Sequence, residues 1–164
     1  MSEIPDRLVK TVTLRAPRER VWRAISDSRQ FGAWFGCDLP GPFTAGAHIV
    51  GTIAPTQVDP EVATMQEPHR GKPFEITIER VEPMTRLSFR WHPFAIEPGH
   101  DYASEPTTLV ELVLADADGG AATELTITES GFAGIPLARR AAAFTANAGG
   151  WAHQCRLVQR YVER

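Results

Sequence analysis

TESGFAGIPLARRAAAFTANAGGWAHQCRLVQRYVE, residues 128–163, decides how the chain folds. It begins as the end of a strand (Thr128 to Phe132), turns at Pro136 and Leu137, and continues as one long helix that carries Gly149, Gly150 and Trp151. From Phe144 onward the apolar residues Phe144, Ala148, Trp151, Cys155, Val158 and Val162 recur at steps of four and three. That stripe is what a helix needs in order to lie on a sheet. Two glycines directly before a bulky Trp let the backbone approach a neighbour or bend while Trp151 projects inward, although a glycine inside a helix costs about 1 kcal/mol relative to alanine. Aromatic residues at helical spacing usually fill core, so Trp151 is expected to be buried whatever else it does.

Working outward, the first strand is expected over Arg7 to Leu14, where β-formers alternate with polar residues. A helix should follow, with Pro17 at its first position, Glu19 in its first turn and Val21, Trp22 and Ile25 on one face, until Asp27 and Ser28 stop it. Ser28 can cap a second short helix in which Phe31, Trp34 and Phe35 share a face and which Gly36 can end. Leu39 to Ala45 reads as loop and Ala47 to Ile53 as strand. Between Ala54 and Pro73 the pattern lapses into a long connection with a short strand or turn near Val62 to Met65. Two hairpins are then expected. Phe74 to Glu82 pairs with Arg86 to His92, and Thr107 to Ala115 pairs with Ala122 to Ser130 across the turn Asp116 to Gly120, with the irregular loop Pro93 to Pro106 between them. The apolar residues Phe74, Ile76, Ile78, Leu87, Phe89, Trp91, Leu112, Leu114, Leu125 and Ile127 then share one face.

No βαβ alternation is visible, so the chain should form an α+β domain, residues 1–164 as one unit: a curved antiparallel sheet wrapped around the long C-terminal helix, with two short helices after the first strand. At 164 residues such a chain buries about two thirds of the surface that its unfolded form exposes. A twisted sheet and a straight helix cannot touch along their whole length, which leaves a cleft between them as the default binding site. The loops at 55–72 and 93–106 are the segments placed to border it.

The 17 basic and 20 acidic residues give a net charge of -3, and no Lys/Arg run is interleaved with aromatic residues, so neither nucleic acid nor an anionic membrane is expected as a partner. The chain starts without an apolar signal-peptide core and holds no span of roughly 20 apolar residues, which points to a soluble, cytoplasmic protein. Cys37 and Cys155 are the two cysteines. Cys155 sits on the helical stripe and reads as a small buried hydrophobe, in keeping with a reducing compartment.

Several stretches together resemble a known family: APRERVWRAISD (16–27), FGAWFG (31–36), FEITIERVEP (74–83) with LSFRW (87–91), and TELTITESGF (123–132) with GGW (149–151). Over nearly the whole chain these are similar to the START-like, or SRPBCC, superfamily of helix-grip proteins, in the branch that resembles the C-terminal domain of activators of the heat-shock protein 90 ATPase. The resemblance implies a deep, largely apolar cavity between sheet and C-terminal helix, which different relatives use to bind lipids, hormones or polyketides and some use for aromatic cyclisation. It carries no fixed catalytic set onto these positions. The eukaryotic chaperone activator looks like a two-domain protein whose other domain engages the chaperone, and no stretch of these 164 residues reads as that domain.

The residues themselves show no GxSxG, no phosphate-cradling glycine loop and no HExxH. The tightest grouping of metal-capable residues, His92 with His100 and Asp101, lacks the spacing of a metal site, so no metal and no cofactor are expected. Glu75, Thr77, Glu79, Ser88, Arg90 and His92 have the opposite parity to the apolar face and should form a solvated outer face with cross-strand ion pairs. Asn147 and Gln154 flank the Trp151 stripe seven residues apart, with Tyr161 on the same edge, either at a polar boundary of the core or pointing into the cleft. The leading expectation is a binding domain for an apolar or aromatic small molecule held between Phe89, Trp91, Leu112 and Ile127 of the sheet and Trp151 and Gln154 of the helix. Asn147 would help to orient the ligand, and Trp34, Phe35 and Phe132 would line the mouth. A cyclase- or hydratase-type enzyme using His48, His92 or a cleft carboxylate is the alternative, which a deep paired carboxylate would favour. A chaperone-interaction module is the third, marked by an exposed apolar patch away from the cleft.

Overall fold

Seven strands, the longer ones alternating inward and outward residues, pair in one antiparallel sheet. The computed structural model describes residues 4–164. The strands are β1 (Arg7–Leu14), β2 (Cys37–Asp38), β3 (His48–Ile53), β4 (Pro73–Glu82), β5 (Arg86–Trp91), β6 (Thr108–Ala117) and β7 (Ala122–Ser130). Their order across the sheet is β1-β7-β6-β5-β4-β3-β2, so β1 and β2 are free edges and the sheet does not close. A register shift between Ile78 and Arg80 places a bulge in β4 opposite β5, which adds local bending to the ordinary twist.

The helices are α1 (Arg18–Ser26), α2 (Ser28–Phe35), α3 (Pro60–Gln66) and α4 (Leu137–Val162). Over 26 residues α4 buries Ala143, Trp151, Cys155, Leu157, Val158, Tyr161 and Val162. Facing it are Leu87 and Phe89 of β5, Val110 and Leu112 of β6, and Leu125 and Ile127 of β7, all without solvent exposure. This is the expected helix grip: a curved, open sheet around a long C-terminal helix, with two short helices after the first strand.

Where the structure departs from expectation, the reasons are local. Pro17 is the N-cap of α1 rather than its first residue. Asp27, not Ser28, caps α2, its carboxylate accepting from the N–H groups of Arg29 and Gln30. Gly36 ends α2 as expected, with φ 101°. Residues 60–66 form a helix instead of a short strand or turn, with Asp59 as N-cap and Pro60 opening its first turn. Ser88 is buried rather than solvated. It is a small side chain flanked in register by Arg80 and Glu111. The outer face carries the expected cross-strand pair of Arg90 with Glu79 at 3.2 Å; Glu75 meets His48 of β3, at 3.1 Å, and His92 is half-buried rather than solvated, with its Nδ1 buried. Helix α4 runs unbroken through Gly149 and Gly150, and neither admits a close neighbour. Both are exposed within a continuous helix, and a Cβ on either would meet nothing within 4 Å.

Candidate functional site

Because side chains alternate along a strand, the parity that buries Leu125 and Ile127 also carries Glu129 inward. It is wholly buried, and four side chains converge on it. The Trp91 indole N–H donates to Oε2 at 2.8 Å, the Thr108 hydroxyl to Oε2 at 2.6 Å, and the Trp151 indole N–H to Oε1 at 2.9 Å. The Asn147 amide donates to both oxygens at 3.0 Å. The donors come from β5, β6 and α4, so one carboxylate ties the helix to three adjacent strands. Among the described residues no Lys, Arg or His forms a salt bridge with it. The inward-facing cation of β1, Lys10, stands opposite Ile127 in register.

The two indoles anchored to Glu129 form a wall. Their ring centroids are 5.6 Å apart and tilted by 31°, and Phe35 closes the triangle at 6.1 Å from Trp91 and 5.9 Å from Trp151. Next to these rings is a cavity of about 80 Å³ lined by Phe35, Trp91, Asn147, Gly150, Trp151 and Gln154. Gln154 donates its amide to the Phe35 carbonyl at 3.0 Å, which fixes the orientation of the group. Its Oε1 is consequently left buried with no partner, an unmet acceptor of the kind that native interiors seldom leave.

Of the residues expected to bind ligand, the structure brings Phe35, Trp91, Asn147, Trp151 and Gln154 together around this cavity. Phe89, Leu112 and Ile127 lie fully buried in the core that supports them. Trp34 is also fully buried, its indole N–H donating to the Ala24 carbonyl at 2.8 Å, so it joins α2 to α1 rather than lining the mouth. Phe132 is enclosed against Phe144 at a centroid distance of 5.1 Å. The deep cavity that the family resemblance implies is largely filled by these aromatic side chains. Glu129 and Thr108 went unnoticed in the sequence, although the strand parity that placed Ile127 inward was the signal for Glu129.

Both loops bordering the region are pinned. The Thr56 hydroxyl donates to the Trp34 carbonyl at 2.9 Å, and Gln66 accepts from Thr56 N–H at 2.7 Å while donating to Phe35 O at 3.4 Å. The 54–72 segment thereby satisfies the C-terminal carbonyls of α2, groups a helix end leaves open. The 93–106 loop is held to α4 by Glu105, which takes Arg139 Nε at 2.8 Å and His100 Nε2 at 2.7 Å. Hydrogen bonding to His100 and then the Arg139 guanidinium hold the Glu105 carboxyl below the usual carboxylate range.

His48 bonds Thr77 and Glu75 on the outer face, and His92 has a buried, unpartnered Nδ1 but does not line the cavity. Among the described residues no group of three metal-capable side chains converges. Burial pushes the thiols of Cys37 and Cys155 up, which disfavours the reactive thiolate form. A wider concavity of about 950 Å³ lies on the outer side of α1 and α2 against the 37–43 segment, with Arg23, Arg29, Asp27 and Asp38 in its walls. Exposed large apolar residues include Val9 of β1, Val50 of β3, Met65 of α3, Ile96 of the 93–106 loop and Leu137 of α4. No helix of the described residues is long and apolar enough to cross a membrane.

Comparison with known proteins bears on this site. The family model described as activator of Hsp90 ATPase homolog 1-like protein matches residues 15–163. Among solved structures the chain is similar to DynU16, a protein of the dynemicin biosynthetic locus, with 28% identity and a TM-score of 0.67 over 98% of this chain and 48% of that one. It therefore spans about half the length of DynU16. It is also similar to protein MLL2253 from Mesorhizobium loti (18% identity, TM-score 0.68, 96% of this chain and 97% of that one). A protein from Arthrobacter aurescens is similar too (16% identity, TM-score 0.70, 96% and 86%). No curated protein matches the chain.

Proposed function

Because the chain belongs to the family of activator of Hsp90 ATPase homolog 1-like proteins, within the START-like, or SRPBCC, superfamily, we propose that it binds an apolar or aromatic small molecule between its sheet and α4. The observation that carries this reading is the cavity walled by Phe35, Trp91 and Trp151 beside the unpartnered carbonyl of Gln154. Apolar rings supply attraction at about 25 cal/mol per Å² buried, and the amides of Asn147 and Gln154 set orientation. Similarity to a protein of a biosynthetic locus is in keeping with a small-molecule partner. The cavity, about 80 Å³, is smaller than the roughly 300–1,000 Å³ of ordinary ligand sites. It takes one group of a ligand, and the remainder lies against the half-buried Trp91 and the exposed backbone of Gly150. In this reading Phe89, Leu112 and Ile127 support the rings from beneath, and Trp34 and Phe132 hold the flanking elements.

Native mass spectrometry of the protein purified from its own host tests the proposal. A discrete added mass that Trp151→Ala abolishes while the fold is retained is the expected result. An apo mass, or an adduct indifferent to Trp151, overturns it.

A second reading rests on Glu129 alone, a deep carboxylate of the kind that favours a cyclase or hydratase. Its oxygens are taken up by four donors and the indoles cover it, so it exchanges a proton with a substrate only when Trp91 or Trp151 swings aside. Turnover of a carbonyl-containing substrate by the wild type and its loss in Glu129→Gln, with binding kept, would favour this reading. Binding without turnover favours the first.

A further inference from the structure

The cavity beside Trp91 and Trp151 is lined by three aromatic residues, Phe35, Trp91 and Trp151, together with Asn147, Gly150 and Gln154. Gln154, one of the lining residues, holds a buried acceptor without a partner, Oε1. The indole N–H groups, the donors that could have greeted an anion, are turned away from it onto Glu129. The Asn147 amide N–H₂ is spent on the same carboxylate. The Gln154 amide N–H₂ donates to the carbonyl of Phe35, the last residue of α2, and helix C-termini carry partial negative charge. No basic side chain is among the lining residues.

We propose that the group seated in this cavity is a small organic ammonium bearing at least one N–H. This inference rests on the ligand-binding reading above and names the chemistry of the ligand's inner end. A cation over indole faces is attracted by the ring quadrupole, most strongly for Trp. An N–H on that cation gives Gln154 Oε1 the donor it lacks, and a charge-assisted hydrogen bond is stronger than a neutral one. Glu129 acts one shell behind. Its hydrogen bonds from the two indole N–H groups fix the ring planes. Phosphate, sulfate and carboxylate groups meet no basic side chain here and are disfavoured. A neutral hydrocarbon fits by shape but leaves Gln154 Oε1 unsatisfied.

Three probes of nearly equal size separate these contributions: tert-butylammonium, which has both charge and N–H; tetramethylammonium, which has charge only; and tert-butanol, which has a donor but no charge. Alkylammonium ions of this type are protonated at pH 7, as lysine is with a pKa of about 10.4. Each is titrated into the unaltered protein while the indole N–H resonances of Trp91 and Trp151 are followed by NMR. The expected order is tert-butylammonium tightest, tetramethylammonium weaker, and tert-butanol weaker than tert-butylammonium by tenfold or more. A ratio under tenfold between tert-butylammonium and tert-butanol overturns the cation assignment and leaves the small-molecule site standing. Tetramethylammonium binding as tightly as tert-butylammonium overturns the N–H requirement. If no probe moves either indole resonance, the cavity is not a ligand site and the underlying reading falls as well.

Discussion

With Glu129 replaced by alanine, the indole N–H groups of Trp91 and Trp151, the Asn147 amide and the Thr108 hydroxyl lose their shared acceptor at once. A buried donor left unpaired costs about 1–3 kcal/mol, so Glu129→Ala is expected to destabilise the protein by more than about 3 kcal/mol in urea unfolding. A loss below 1 kcal/mol would mean that water replaces the carboxylate and that the cluster contributes little. Much of this cluster could be read in advance. Trp151 followed from the helical stripe, Trp91 from strand alternation, and Asn147 and Gln154 from their flank positions. Their convergence on one carboxylate could not, because it depends on the register of β5, β6 and β7 and on where α4 crosses them. Hydrophobic periodicity fixes which face a residue takes, not which residue it meets across the interior.

At the scale of elements, α4 carries two substitutions that should behave alike in stability and differently in binding. A Cβ at Gly149 or Gly150 meets nothing within 4 Å, so each glycine-to-alanine change is expected to stabilise the protein by about 1 kcal/mol through helix propensity and a less flexible unfolded chain. Gly150 borders the cavity and Gly149 does not. Gly150→Ala should therefore weaken retention of a bound small molecule, whereas Gly149→Ala leaves it unchanged; thermal melts and ligand titration of both variants check the pair. At Gly36 the sign reverses, since its φ is 101° and a Cβ would press on the Gln66 side chain. Gly36→Ala is expected to destabilise by at least about 1 kcal/mol in the same melts. The elements that escaped sequence reading share a cause. Helix α3 buries none of its residues and so offers no apolar stripe, and β2 has two residues, too few to alternate. Only the capping pair Asp59 and Pro60 marked α3, a signal of chain geometry rather than of hydrophobic pattern.

Across the whole molecule, the 93–106 loop reaches α4 through Glu105, whose side chain is 9% exposed between His100 and Arg139. Its carboxyl is held below the usual range, first by the His100 hydrogen bond and then by Arg139. A carboxyl depressed in the folded state contributes stability above its unfolded value, about 4.3 for glutamate, and loses that contribution as pH falls through the folded value. Wild type should therefore exceed Glu105→Gln in unfolding midpoint at neutral pH, and the gap should close on acidification below the ordinary carboxylate range. A gap that stays constant with pH would show that the carboxyl does not fasten the loop. The sheet order leaves β1 and β2 as edges that never meet, which changes what the volume of the interior means. A closed barrel has a circumference fixed by its hydrogen-bonded ladder, but an open sheet can flatten or curl with every ladder bond intact. The space under α4 is in that respect elastic. The size of molecule it accepts is set by the stiffness with which the sheet resists unrolling, so longer occupants are discriminated by spring cost rather than by the walls of a rigid mould.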